Sequence, residues 1–248
     1  MRTFVITLAG DDARRAPLLA ALSAQGLDWE LMLGVDGRRG LPAPLEAEVD
    51  RAAARTRSGA PMTDGELACA LSHRAVYRRI VDEGLDAALV LEDDAIVHPR
   101  LGEFLAAWDP AVADLLLLDH SRAWGEKRPR FVSGAFAVHR LGLPYYNPSF
   151  ATGYVLTRRG AERLLQACSP VRAVADWPVH LYDFGAMAVT PRLVDHQDPD
   201  TGHSNLRVER QAAGLLGAGK PKDAWWLKLR ISLAKRLFAK SLSVSDRR

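Results

Sequence analysis

Cysteine is nearly absent from this chain: 248 residues contain only Cys69 and Cys168. Two thiols make no disulfide framework, so the expected setting is a reducing compartment and a fold held by its core. Long apolar runs are missing too. No stretch approaches the roughly 18 residues that a membrane span needs. Residues 1–15 hold one short apolar run that charge soon interrupts, which is not the layout of a secretory signal. Neither glycine-rich phosphate cradle occurs. Without GxGxxG or GxxxxGK[ST], dinucleotide-binding and P-loop readings lack their fingerprint. Internal repeats and low-complexity segments are also lacking.

No single sign of charge dominates the body. The net charge of +3 conceals a division. Residues 220–248 carry nine Lys/Arg and two Asp/Glu, and the other 219 residues carry 24 basic and 28 acidic side chains. The pI near 9.0 therefore belongs to a tail and does not signal a nucleic-acid-binding fold, so no nucleic-acid partner is expected. The apolar share of 48% and charged share of 25% are those of a globular protein long enough to bury a full core.

Strands and helices alternate. Residues 3–8 read as a buried strand ended by Gly10, and an Ala/Leu-rich helix runs on to about Gln25. Residues 29–35 read as a second strand, closed by Asp36-Gly37. This βαβ unit implies a parallel sheet with a right-handed crossover. A loop with one short helix near residues 45–54 follows. Thr63 and Glu66 form a capping box for a helix whose apolar stripe is Leu67, Ala70, Leu71, Ala75, Val76 and Ile80. Residues 87–91 are an apolar strand of the buried parallel type. Residues 115–118, 131–139, 151–157 and 187–194 are further strand candidates, 158–167 reads as a helix, and another helix starts near Pro178.

The sharpest chemical feature is Glu92-Asp93-Asp94 at the C-terminal end of a buried strand. Three adjacent carboxylates repel one another unless something offsets their charge. In open α/β sheets that edge is where ligands bind, and a hard divalent cation would supply the offset; a solvated acidic turn is the bland alternative. Glu66, Cys69 and His73 share one helix face. A zinc site there would want further soft ligands, such as a Cys-x-x-Cys pair, and none is present. A Cys–His nucleophile pair needs a geometry that spacing does not show. Arg14 and Arg15 either meet an anion at the first βα turn or form a solvated helix face. Asp176 is a candidate general base beside Trp177, or an N-cap for the helix near Pro178. His196 and His203 either complete a metal site or lie on the surface.

Five stretches in order resemble glycosyltransferase family 25, the lipooligosaccharide and collagen galactosyltransferase group. They are Phe4-Val5-Ile6-Thr7-Leu8 with Asp12-Ala13-Arg14-Arg15; Asp36-Gly37-Arg38; Thr63-Asp64-Gly65-Glu66-Leu67-Ala68-Cys69-Ala70-Leu71-Ser72-His73; Leu89-Val90-Leu91-Glu92-Asp93-Asp94; and Thr152-Gly153-Tyr154-Val155-Leu156-Thr157-Arg158-Arg159-Gly160-Ala161. Together they run from residue 3 to about residue 180. The resemblance implies an α/β, GT-A-type Rossmann-like domain over residues 1–219, with a mostly parallel sheet flanked by helices. It implies an inverting transfer of a hexose, galactose from UDP-galactose, from a nucleotide-sugar donor to a glycolipid or oligosaccharide acceptor of lipopolysaccharide type. Glu92, Asp93 and Asp94 take the part of an Asp-x-Asp motif holding Mn²⁺ or Mg²⁺. The implied metal ligands are Asp94, Glu92 and His196, and the implied base is Asp176. Thr7, Leu8, Arg14, Arg15, Asp36, Ser72, His73, Glu92 and Asp93 are the implied donor-binding residues.

Two rivals remain at this stage. A metal-dependent phosphohydrolase would want a nucleophile after the first strand, where Thr7-Leu8-Ala9-Gly10 supplies none. A catalytically inactive, membrane-docked sugar-nucleotide-binding domain is the other. Residues 220–248 form a basic tail. Within residues 224–238, Trp226, Leu227, Ile231, Leu233, Ala234, Leu237 and Phe238 share one helical face, while Lys228, Ser232, Lys235 and Arg236 gather opposite. That pattern fits a helix lying on an anionic membrane surface, or a terminal helix packed on the domain. With the Ala/Arg-rich composition and the lack of a secretory signal, it leads to the expectation of a bacterial, cytoplasmic enzyme, peripheral on the inner face of the inner membrane.

Overall fold

The computed structural model describes residues 1–143, 147–196, 210–215, 232–233 and 239–242. The strands are β1 (Arg2–Thr7), β2 (Glu30–Leu33), β3 (Ala87–Glu92), β4 (Ala95–Val97), β5 (Leu115–Leu117), β6 (Trp124–Glu126), β7 (Phe131–Ser133), β8 (Phe136–Arg140), β9 (Gly153–Thr157), β10 (Met187–Thr190), β11 (Val194–His196) and β12 (Ala239–Ser241). The helices are α1 (Asp12–Ala24), α2 (Ala43–Glu46), α3 (Arg51–Ser58), α4 (Asp64–Asp82), α5 (Leu101–Ala107), α6 (Arg158–Ala167) and α7 (Leu181–Phe184).

Eight strands form one sheet in the order β2-β1-β3-β9-β5-β10-β8-β7. Six of them run in one direction, and β9 and β8 oppose them. The period-2 alternation of side chains sends each strand's apolar residues to both faces. Phe4, Val90, Leu117, Tyr154 and Ala188 meet α4, α6 and α7 on one side. Val5, Leu89, Leu91, Leu116, Val155 and Val189 meet α1 and α5 on the other. Each fully buried Val, Leu or Phe contributes about 1.5–3 kcal/mol, which explains why these strands read as unbroken apolar runs.

The capping box forms as the sequence indicates. The Glu66 N–H donates to Thr63 Oγ1 at 3.2 Å, and the Thr63 N–H donates to Glu66 Oε2 at 2.9 Å. Four other expectations need correction. Residues 131–139 are not one strand but the hairpin β7–β8, turned at Gly134 with φ +57°. Residues 187–194 divide into β10 and β11, because Pro191 has no N–H for the ladder and the chain leaves the sheet there. The short helix near 45–54 is two helices, α2 and α3, with Asp50 capping the second through the Ala53 N–H. Asp176 caps no helix, since α7 begins at Leu181 behind His180.

Two small ribbons shape the rest. β11 pairs antiparallel with β4, setting His196 opposite Ala95. β12 pairs with β6, and the next residue, Leu242, is fully buried in the core against which α4 and α6 pack. The C-terminal tail therefore returns to the body at residues 239–242. Within the amphipathic stretch 224–238, only Ser232 and Leu233 are among the described residues, so the interfacial-helix expectation lies outside them, as does His203. No helix among the described residues is long and apolar enough to cross a membrane.

Candidate active site

The acidic residues collect where strands β1, β3 and β5 end. Thr7 closes β1, Glu92 closes β3, and Asp119 lies two residues beyond β5. The start of β9 runs between the last two. The Glu92 N–H donates to the Thr152 carbonyl at 2.9 Å, and the Leu118 and Asp119 N–H groups both donate to the Gly153 carbonyl. Gly153 has to lack a side chain, because a Cβ would sit 2.8 Å from the Val194 methyls of β11.

The triplet is braced from α1. Arg14 places Nε 2.9 Å from Asp93 Oδ1 and a terminal nitrogen 2.5 Å from Asp94 Oδ2. Thr7 Oγ1 donates to Asp93 Oδ2 at 2.8 Å. Burial raises the Asp93 carboxyl, against the pull of Thr7 and Arg14. Burial and the Glu92 charge push Asp94 up to about 6. Asp94 Oδ1 is buried and has no hydrogen-bond partner. One guanidinium among three carboxylates leaves the cluster under-neutralised.

Glu92 faces the other way, toward α4. His73, 1% exposed, lies with Nε2 3.0 Å from Glu92 Oε1 and Nδ1 2.9 Å from the Tyr154 hydroxyl. A carboxylate only accepts, so Nε2–H donates to Glu92, and in the neutral ring Nδ1 then accepts from the Tyr154 hydroxyl. Burial alone would raise Glu92, but the His73 hydrogen bond holds it below its ordinary value. Burial and the Glu92 charge, with Asp176, Asp94 and Glu66 adding to it, push the Cys69 thiol well up. A thiol so protonated is no nucleophile, and the Cys–His pair fails on that ground. Glu66 does not join Cys69 and His73 either. It caps α4 and pairs with Arg210 at 2.5 Å.

A second acidic group lies across the β9 entry. Asp119 is fully buried, 2.9 Å from His196 Nδ1 and 3.2 Å from Arg192. That hydrogen bond raises the His196 pKa. The Phe150 ring lies 4.1 Å from the His196 ring. Burial raises the Asp176 carboxyl, while the backbone N–H groups of Phe150 and Ala151 donate to it and lower it. Glu92 and His73 are both near enough to act on its charge. Phe150 and Trp177, the residues that hold and follow Asp176, have φ of +83° and +115°. Such backbone strain in bulky residues clusters at functional sites.

The structure thus brings together Thr7, Arg14, His73, Glu92, Asp93, Asp94, Asp176 and His196. The remaining implied donor residues stand in supporting positions. Arg15 pairs with Asp12 and donates to Thr7 Oγ1 and the Leu8 carbonyl. Ser72 is 5% exposed, accepts from the Val35 N–H at 2.8 Å and donates to the Ala68 carbonyl at 2.7 Å. Asp36 is locked to Arg38. Sequence reasoning missed Asp119, Arg192, Tyr154 and Phe150. Asp119 carried the same signal as Glu92, an acid just past an apolar strand. The other three have no local signal: Tyr154 meets His73 across 81 positions, Arg192 meets Asp119 across 73 and Phe150 meets Asp176 across 26.

Alternating strands and helices with convergent carboxylates at the C-terminal strand edge define an α/β protein with a candidate ligand site at that edge. Residues 1–179 match the model of glycosyltransferase family 25 (LPS biosynthesis protein). The chain belongs to that family. Among curated relatives, it is 29% identical over 173 residues to procollagen galactosyltransferase 1 of Danio rerio, covering 66% of this chain and 28% of that protein. It is 30% identical over 179 residues to the human inactive glycosyltransferase 25 family member 3, covering 68% and 29%. The chain thus spans less than a third of the length of these relatives. Among solved structures, the galactosyltransferase LgtC with donor and acceptor sugar analogs overlaps 91% of this chain and 99% of its own, at 12% identity and a TM-score of 0.39.

Proposed function

We propose that this chain is a GT-A-type, metal-dependent, inverting glycosyltransferase. It moves a hexose, galactose from UDP-galactose, to a hydroxyl of a lipopolysaccharide core or related surface glycan. The observation that carries this reading is the braced acidic triplet with one orphaned oxygen, Asp94 Oδ1, next to a separate carboxyl, Asp176. Family membership supports the reaction class. The name of the Danio rerio relative supports galactose, and the family description supports the acceptor.

The residues present fit a hard divalent cation, Mn²⁺ or Mg²⁺. A buried carboxylate oxygen without a partner, in a cluster with surplus negative charge, is what such an ion satisfies. Asp94 would be its main ligand, with Glu92 and His196 as the further ligands to be recruited, the latter held in orientation through Nδ1 by Asp119. When bound, the ion stabilises the charge of the departing nucleoside diphosphate. Arg14 and Thr7 hold Asp93 and Asp94 so that they need not reorganise as that charge develops. Asp176 takes the proton of the acceptor hydroxyl as the anomeric carbon is attacked from the face opposite the leaving group. Its raised pKa suits a carboxylate that has to accept a proton. The basic stretch 224–238 brings the enzyme to an anionic membrane carrying the acceptor, tethered by β12.

The test is incubation with a panel of nucleotide sugars plus Mn²⁺. Release of nucleoside diphosphate with UDP-galactose is the expected result. Inorganic phosphate alone would mean a phosphohydrolase. No turnover would mean a binding domain, the reading favoured by the human relative named inactive.

A further inference from the structure

Cys69, His73 and Glu92 place three different ligand atoms in one small volume. The Cys69 Sγ, a ring nitrogen of His73 and a carboxylate oxygen of Glu92 all lie within 4.8 Å of one another. α4 supplies the first two, one turn apart, and β3 supplies the third. This is a different chemistry from Asp94. Hard Mg²⁺ and Mn²⁺ prefer oxygen, whereas thiolate and imidazole select softer ions of the Zn²⁺ type. The site is also prepared from behind. His73 is buried, and the Tyr154 hydroxyl on Nδ1 is the outer partner that orients a metal-bound imidazole. The carboxylates of Asp176, Asp94 and Glu66 act on Cys69 as well as that of Glu92, so the local field favours an arriving cation.

We propose that Cys69, His73 and Glu92 form a binding site for a soft divalent cation of the Zn²⁺ class, with three protein ligands and one position open. Binding balances simply. The Cys69 thiol releases its proton to solvent, and the imidazole proton moves from Nε2 to Nδ1, where the Tyr154 oxygen accepts it as a hydrogen bond. The three ligands distinguish this site from a closed structural one, which takes four. A soft ion that takes Glu92 competes with the triplet for that carboxylate. On the glycosyltransferase reading above, the soft ion therefore inhibits transfer.

The experiment uses the full chain, stripped with chelator and titrated with Co²⁺ as a spectroscopic probe. The expected result is a thiolate-to-Co²⁺ charge-transfer band that saturates at one equivalent and is erased by one equivalent of Zn²⁺. Cys69→Ser and His73→Ala should abolish the band, and Cys168→Ser should leave it unchanged. Should His73→Ala fail to fold, Cys69→Ser, a change of one atom, carries the test. No band in the wild-type chain, or a band that survives Cys69→Ser, would overturn the site. The readout needs no turnover. A chain that shows the band but releases no nucleoside diphosphate keeps this site and loses the transferase reading. The reverse pair of results does the opposite.

Discussion

Arg14 and Asp94 lie 2.5 Å apart although 80 positions separate them. The contact leaves Asp94 Oδ2 engaged and Oδ1 free, so one carboxylate is anchored to the protein by one oxygen and offers the other. Asp94→Asn keeps the side chain's shape and one oxygen but removes the charge. We predict an intact fold and a loss of Mn²⁺-dependent turnover on the order of 100-fold or more. Circular dichroism together with nucleoside diphosphate release checks both halves, and near-normal turnover would remove Asp94 from the metal role.

Asp176 receives two backbone N–H groups and lies outside the triplet. Asp176→Asn retains an acceptor oxygen but cannot take a proton. Turnover number should fall by about 10²–10⁴-fold with donor affinity little changed, because a base acts in the transition state. Steady-state kinetics with calorimetric titration of UDP separates the two quantities. A collapse of UDP affinity would place Asp176 in the donor site instead.

Tyr154→Phe deletes the hydroxyl that donates to His73 Nδ1. A buried ring nitrogen without a partner costs about 1–3 kcal/mol, and His73 then holds Glu92 less firmly. Chemical denaturation should show that loss. The KM for the donor should rise more than the turnover number falls. Unchanged KM in Tyr154→Phe would sever the relay from donor binding.

The share of stability that rests on His120 and His139 should decline in mild acid, against Asp94 and His196, whose raised pKa values make the folded state bind more protons there. His120 and His139 are buried, and burial lowers the pKa of each below the ordinary 6.5. His120 Nε2 donates to the Val189 carbonyl and His139 Nδ1 to the Glu126 carbonyl, while the second nitrogen of each has no partner. Unfolded, both take up a proton as pH falls through about 6.5. Folded, they resist it. At these two sites the unfolded state therefore binds more protons below that pH, and their contribution to stability rises with pH across the window. For either group the slope is at most about 1.4 kcal/mol per pH unit. Melting curves of wild type and His120→Gln between pH 7.5 and 5.5 isolate it: the variant's stability should rise less with pH than the wild type's, and an equal slope would refute the assignment.

The C-terminal return is testable by Leu242→Ala. The side chain is fully buried, with its N–H donating to the Ala123 carbonyl. Removing it should cost about 2–5 kcal/mol. Flotation with anionic liposomes, comparing the full chain with Lys228, Arg230, Lys235 and Arg236 all changed to Gln, tests the membrane proposal without disturbing β12. Equal binding by both chains would refute it.

Some of this molecule follows from the sequence alone. The β1–α1–β2 unit, the capped α4 and the apolar β3 running into Glu92-Asp93-Asp94 are local matters of periodicity, caps and turn residues, each decided within about 20 positions. Most of the family motifs lie on those segments, which made the acid triplet legible, whereas the fifth spans β9 and α6 and Asp176 lies beyond them all. What each carboxylate does was not legible. Glu66, not Glu92, shares the helical face of Cys69 and His73 by spacing, yet β3 delivers Glu92 to His73 while Glu66 turns to its cap and Arg210. Asp119 meets His196 across 77 positions because β11 folds back on β4. The hairpin β7–β8 and the pairing of β12 with β6 likewise depend on strand register between distant segments. Periodicity encodes which face a residue occupies on its own element. Only the packing of elements decides which faces meet, and so which acids are paired, which oxygen is left unpartnered and where a cation fits.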